Sequence, residues 1–386
     1  MPLSLSDIPV IAAAAALFYA LVAVWVLVPQ ARRRLDRLFT MPMPHNQPHL
    51  AALDGVRGFC AIWVMTFHFW QWHRGIFEEL VPWFPPIRDG ANAVSVFAAL
   101  SGFLIYRSVK NLAGPEDLPT YLKRRFLRIY PLYFVTTVVA LLVFPPAGLS
   151  FSRVIAEFSM ARSLGYGVFL NPVAWSLYVE VLFYVVLPVW VWAARGKLVP
   201  LTVTAAVLFA LASSGTREVD LWKFFAVGIL VSEAIDRLVP TWNGRKAFAV
   251  FALGLVLVAA SYHKHDLHRQ AIMALGTGLL LVGIVAWRPA AWAFSTRPMR
   301  VLGTISYSVF LWHPFVICWI FPTVFNGSGS IAYTAPHTRM DPLLLPFVFV
   351  PAILLFSAIS YLAIERPVLY RKFREKGRPE PAPVPL

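Results

Sequence analysis

The chain has 386 residues, 59% hydrophobic and 14% charged, with a formal charge of +15. Ordinary soluble domains are about 45–50% apolar and about 25% charged. So much apolar surface beneath so few charges excludes a soluble enzyme, a secreted disulfide scaffold and a disordered chain. The two cysteines, Cys60 and Cys318, both sit in apolar runs and supply no disulfide framework. The basic residues fall in short runs between apolar segments, which reads as membrane topology and contact with lipid headgroups. No nucleic-acid partner is expected.

A helix needs about 20 apolar residues to cross a bilayer. The sequence therefore predicts an all-α integral membrane protein, a polytopic helical bundle of eleven spans: 8–29, 51–73, 91–108, 129–147, 172–194, 198–213, 221–235, 247–262, 270–287, 301–322 and 343–364. The first has no basic residue before it and is followed by Arg32, Arg33, Arg34 and Arg37. A cleaved signal peptide has the reverse arrangement, so this segment reads as an anchor. With the N-terminus outside, 24 of the 34 lysines and arginines fall in cytoplasmic segments, including the C-terminal RKFREKGRPEPAPVPL. The expected location is the cell (inner) membrane, with residues 371–386 as a cytoplasmic Pro-rich tail. The loops around 74–90, 148–171 and 323–342 are too short for a soluble domain. No internal repeat appears, which argues against the inverted halves of a transporter.

Ionisable groups near the bilayer centre cost about 2.5–3.5 kcal/mol each on insertion scales, so each is a functional candidate. In LDGVRGFCAIWVMTFHFW, Arg57 and His68 are 11 residues apart, on nearly the same helix face and about 16 Å apart along the axis. Asp54 lies one turn before Arg57 and is placed to pair with it. Ser101-Gly102 falls near the middle of its span, where small residues usually mean close helix packing. In YLKRRFLRIYPLY, Lys123, Arg124, Arg125 and Arg128 read either as stop-transfer charges or as forks for phosphate oxygens. Arg124 and Arg128 share a face if the helix begins early. NPVAWSLYVEVLFYVVLP places Ser176 and Glu180 one turn apart. Glu180 needs a partner from another helix, and His68 and His313 are the candidates. GTISYSVFLWHPF brings Tyr307 and His313 to the same depth, with Pro314 just after. Ser101, Glu180, His68 and His313 thus put polar groups from four spans at one level.

Taken in order, LDGVRGFCAIWVMTFHF, SGFLI, RRFLRIYP, WSLYVE, ISYSVFLWHP and ERP resemble acyltransferase family 3. These are polytopic acyl-CoA-dependent O-acyltransferases, typified by those that acetylate bacterial surface sugars. The resemblance runs from about residue 51 to 370. It implies about ten core helices, to which this chain adds one N-terminal span within 1–30, giving a domain at 51–370. It implies acyl-CoA, most simply acetyl-CoA, as donor, no metal, and a glycan, lipid-linked sugar or secondary metabolite as acceptor. By motif match Arg57 and His68 are the essential pair. Arg124, Arg125, Arg128 and Tyr130 belong to the donor-binding segment, and Trp175, Ser176 and Glu180 line the site. Glu365 and Pro367 close the last helix.

In the expected reaction His68 takes the proton of the acceptor hydroxyl, Glu180 orients or balances the imidazole, and His313 or Tyr307 donates to the oxyanion. An acyl-enzyme route through Ser176 or Ser101 is the enzymatic alternative. A proton-coupled transporter using the same Arg/His/Glu set is the alternative from another class. Trp72, His73, Trp83 and Phe84 read as sugar-stacking residues or an interfacial belt. The HKHDLH loop with His263, His265 and His268 reads as a solvated turn rather than a metal site. Oligomeric state is not legible.

Overall fold

The structure is a computed structural model that describes residues 8–39, 49–72, 88–143, 149–160, 170–193, 217–261, 267–320, 323–325, 331–333 and 345–369. The expected span 198–213, residues His73, Trp83 and Phe84, histidines 263 and 265, and the 371–386 tail lie outside the described residues. So do the side chains of Trp72, His268 and Cys318.

The elements in order are α1 Ile8–Leu27, α2 Pro29–Phe39, α3 His49–Trp72, α4 Gly90–Lys110, α5 Leu118–Val143, α6 Phe151–Phe158, α7 Trp175–Ala193, α8 Arg217–Arg237, α9 Gly244–Ala260, α10 Leu267–Ala286, α11 Arg288–Ser295, α12 Arg297–Ile320 and α13 Leu345–Ser360. A small antiparallel hairpin, β1 Thr323–Phe325 with β2 Ile331–Tyr333, pairs Val324 with Ala332. After α13 the helix widens to a π turn over Tyr361–Glu365. Five stretches, 92–110, 115–143, 175–193, 269–286 and 347–369, are long and apolar enough to cross a membrane. The pair 13–27 and 29–39 makes a sixth if counted as one. The protein is a multi-pass membrane protein. Helices α3, α8, α9 and α12 stand where spans are expected, but α9 has 17 residues and the others spend apolar length on charges such as Asp54, Arg57, Lys223 and Arg300.

Two expected spans differ in shape. The 8–29 segment stops at Leu27 and bends by 112° into α2. Pro29 supplies no N–H and is well suited to a first helical turn, so the chain restarts there in a new direction. The span expected at 129–147 begins at Leu118 instead. Its buried positions Tyr121, Ile129, Leu132, Tyr133, Thr136, Thr137 and Ala140 recur at helical spacing, so one apolar stripe continues through the basic run. The helix also runs through Pro131.

Missing side chains set the helix contacts. A Cβ on Gly303 of α12 would lie 2.1 Å from the Asp54 carbonyl oxygen, and one on Gly58 of α3 would lie 2.6 Å from the Gly303 nitrogen. On α4 and α8, a Cβ on Gly102 would meet the Phe225 carbonyl at 2.2 Å, and one on Gly228 the Ala99 carbonyl at 2.0 Å. Small residues of this kind let membrane helices approach backbone to backbone, where lipid supplies no hydrophobic drive. The α3–α12 and α4–α8 pairs run parallel, and their shared faces enclose the polar residues described next.

Candidate active site

His68 on α3 and His313 on α12 form the central contact. His68 Nδ1 is 2.8 Å from His313 Nε2, with ring centroids 5.0 Å apart and planes 21° from parallel. His313 is fully buried, and its Nδ1 is 2.9 Å from the Val309 carbonyl. A carbonyl only accepts, so in the neutral pair His313 donates from Nδ1 and carries its lone pair on Nε2. His68 then donates from Nδ1, and its basic nitrogen is Nε2. The tautomers follow from the hydrogen bonds.

Toward the other end of α3 lies a cleft of about 690 Å³, open mouth included. Arg57, Ser101, Arg128, Ser176, Glu180 and Tyr307 are among its lining residues. Arg57 Nη1 and Asp54 Oδ1 are 3.4 Å apart, a long ion pair one turn along the helix. The histidine pair is not part of this lining. Phe310 is, and its ring centroid is 6.1 Å from that of His313. Phe310 thus stands between the charged cleft and the imidazoles.

Glu180 does not pair with a histidine, contrary to expectation. Ser101 Oγ donates to Glu180 Oε1 at 3.1 Å, and Tyr184, one turn along α7, donates to the same oxygen at 2.6 Å. The α4–α7 packing places the carboxylate over Ser101, while the α3–α12 packing gives His68 to His313. Tyr184 was missed by sequence reading, although its i+4 spacing from Glu180 was a usable signal. Tyr307 is likewise engaged elsewhere: its hydroxyl donates its one proton to the Ile129 carbonyl at 2.8 Å. It ties α12 to α5 and, so placed, does not serve as an oxyanion donor. Ser176 donates to the Val173 carbonyl at 3.2 Å.

The basic run of α5 is divided by the helix. Lys123 and Arg124 are exposed, whereas Arg125 and Arg128 are partly buried. Arg128 reaches the cleft. Arg125 donates to Ser108 Oγ and lies over the Tyr121 and Tyr184 rings at 5.4 and 5.3 Å. Tyr130 points away from the cleft: it stacks on Phe126 with centroids 4.5 Å apart and donates to the Phe158 carbonyl at 3.0 Å. With Tyr133, which donates to the Glu157 carbonyl at 2.7 Å, it satisfies carbonyls at the C-terminus of α6. Trp175 opens α7 and packs, partly buried, on the main apolar cluster. Glu365 is buried and accepts from Ser308 of α12, closing the last helix onto the bundle.

One residue in the NPVAW segment was also missed. Asn171 is buried; its Nδ2 donates to the Leu311 carbonyl at 3.1 Å, and its Oδ1 accepts from Val173 N at 3.3 Å. It fixes the start of α7 against α12 two residues before His313. Among the described residues, no group of three or more His, Cys, Asp or Glu is placed to hold a metal ion.

The profile of the acyltransferase domain matches residues 50–363, most of the chain. The chain belongs to this acyltransferase family. The match leaves the transporter alternative without support. The acyltransferase is 28% identical over 308 residues to the exopolysaccharide production protein ExoZ of Rhizobium meliloti, covering 73% of this chain and 90% of that one. It is 29% identical over 164 residues to the acyltransferase MdmB of Streptomyces mycarofaciens, covering 38% and 41%. It is 23% identical over 383 residues to the peptidoglycan O-acetyltransferase OatA of Listeria monocytogenes, covering 84% of this chain and 56% of that one. The chain thus spans nearly all of ExoZ but about half or less of the other two. No solved structure gives a significant match.

Proposed function

We propose that the protein is a membrane O-acyltransferase that moves an acyl group, in the simplest case acetyl, from cytosolic acyl-CoA to a carbohydrate hydroxyl. The observation that carries this reading is the His68–His313 pair inside a bundle of the acyltransferase family. A peptidoglycan O-acetyltransferase and an exopolysaccharide production protein among the relatives favour a glycan acceptor.

In this mechanism His68 Nε2 takes the proton of the acceptor hydroxyl as its oxygen attacks the thioester carbonyl. The C–O bond forms, the C–S bond breaks, and the sulfur leaves as the CoA thiol with the proton that His68 carried. His313 accepts from His68 Nδ1 throughout, so the imidazolium keeps a hydrogen-bonded partner while it exists. Its buried bond to Val309 holds that acceptor nitrogen in place. Arg57 and Arg128 give the cleft a cationic wall, which fits the anionic and amide portions of an acyl-CoA. The thioester then reaches His68 past Phe310. An acyl-enzyme route retains Ser101 as nucleophile, because Glu180 already accepts its proton.

The test is CoA release by the purified protein in detergent, with acetyl-CoA and mixed glycan acceptors. His68→Ala is expected to bind donor and lose roughly 10²–10⁴-fold in turnover. Turnover at the wild-type rate by that variant would remove His68 as base. Failure of the wild type to bind any acyl-CoA would overturn the donor. Mass spectrometry after donor alone separates the routes, since an acylated Ser101 requires the acyl-enzyme.

A further inference from the structure

Helix α1 presents large apolar side chains outward: Leu17, Leu21, Val24, Val26 and Leu27 are all exposed. In a membrane protein such a face meets acyl chains. Helix α2 leaves the end of that span at 112°, so it lies across the span's end rather than extending it. That is the level of the lipid headgroups. The elbow is locked by side chains. Arg32 turns back to donate to the carbonyls of Trp25 at 3.3 Å and Val26 at 2.5 Å, satisfying acceptors at the end of α1. Asp36 accepts from Trp25 Nε1 at 3.0 Å and lies 3.6 Å from Arg297 Nη1, at the first position of α12. Phe39 packs with its ring centroid 6.1 Å from that of Tyr361.

These contacts fix the rotation of α2. Its one carboxylate and its terminal aromatic face the bundle, and Arg33, Arg34 and Arg37 remain exposed on an 11-residue helix. We infer that this surface docks anionic phospholipid, with the three guanidinium groups gripping headgroup phosphates beside the lipid-facing side of α1. Arginine forks match phosphate oxygens bidentately, and the lipid phosphodiester is the anion present at that depth. The inference does not rest on the transferase reading. α2 lies outside the matched 50–363 domain and away from the cleft.

Each basic residue near an anionic surface is worth on the order of fivefold in partition, so three give on the order of a hundredfold. The full-length protein is placed in nanodiscs of phosphatidylcholine with or without phosphatidylglycerol, and lipid retained through extraction is quantified by native mass spectrometry. Wild type is expected to retain phosphatidylglycerol preferentially. Arg33→Gln/Arg34→Gln/Arg37→Gln is expected to lose that preference by roughly a hundredfold while remaining monodisperse. The matching triple lysine variant keeps the charge and is expected to stay within about tenfold of wild type, which separates lost binding from lost folding. Unchanged preference in the glutamine variant would overturn the proposal. So would equal retention of phosphatidylcholine, or release of the lipid by millimolar inorganic phosphate, which would mark the site as one for soluble anions.

Discussion

Gly58 and Gly303 set the register that brings the two histidines together. The glycines are 245 positions apart in sequence, and so are His68 and His313. Each histidine lies ten residues beyond its glycine on helices that run parallel. The close approach at one level therefore dictates the imidazole pair about 15 Å further along the axis.

Gly303→Ala tests that relationship. The added methyl would sit 2.1 Å from the Asp54 carbonyl oxygen, which is backbone and cannot swing aside. Overpacking of this kind costs about 1–3 kcal/mol. The expected outcome is a lowered thermal midpoint in detergent and at least a tenfold loss of turnover. Wild-type turnover would show that the histidine pair tolerates a shift between α3 and α12.

Arg124 and Arg128 should separate in donor kinetics. Arg128 lines the cleft and Arg124 is exposed. Arg128→Ala is expected to raise the donor KM by tenfold or more, since a charged hydrogen bond contributes about 1.5–3 kcal/mol. Arg124→Ala should stay within about twofold of wild type. The reverse ranking would mean that the donor's anionic end lies outside the cleft.

Glu180 and Tyr184 make a second informative pair. Tyr184→Phe removes one hydrogen bond within α7, worth about 0.5–1.5 kcal/mol, and is expected to leave most of the activity. Glu180→Gln keeps an acceptor for Ser101 and Tyr184 but removes the negative charge from a cleft that holds Arg57 and Arg128. A loss of tenfold or more is expected in the glutamine variant, read as kcat/KM for the donor. Equal, small effects would mean that the carboxylate acts only as a hydrogen-bond acceptor.

Asn171→Ala leaves the Leu311 carbonyl without this donor and frees the start of α7. One lost hydrogen bond of this kind costs about 0.5–1.5 kcal/mol. The thermal midpoint should fall, and turnover should fall with it because the contact lies two residues from His313. Asn171→Asp, which keeps the acceptor for Val173 N but removes the amide donor, should resemble the alanine variant.

Membrane class and the order of the apolar segments were legible in the sequence. The single level expected for Ser101, Glu180, His68 and His313 was not, since Ser101 and Glu180 line the cleft with Arg57 while the two histidines pair outside that lining. Apolar run length, charge placement and 3.6-residue spacing are local properties, carried by consecutive residues. Which polar group meets which was decided only by the tertiary structure. His68 found His313 because the Gly58–Gly303 contact sets the register of α3 on α12, and Glu180 found Ser101 through the packing of α4 on α7; both contacts join residues far apart in the chain. The basic run of α5 reads as one cluster, yet the packed helix turned Arg128 inward and left Arg124 outside. The bend into α2 belongs to the same class: Arg32 and Asp36 hold it through Trp25, Val26 and Arg297, and a reach from Asp36 to Arg297 leaves no periodic trace in the sequence.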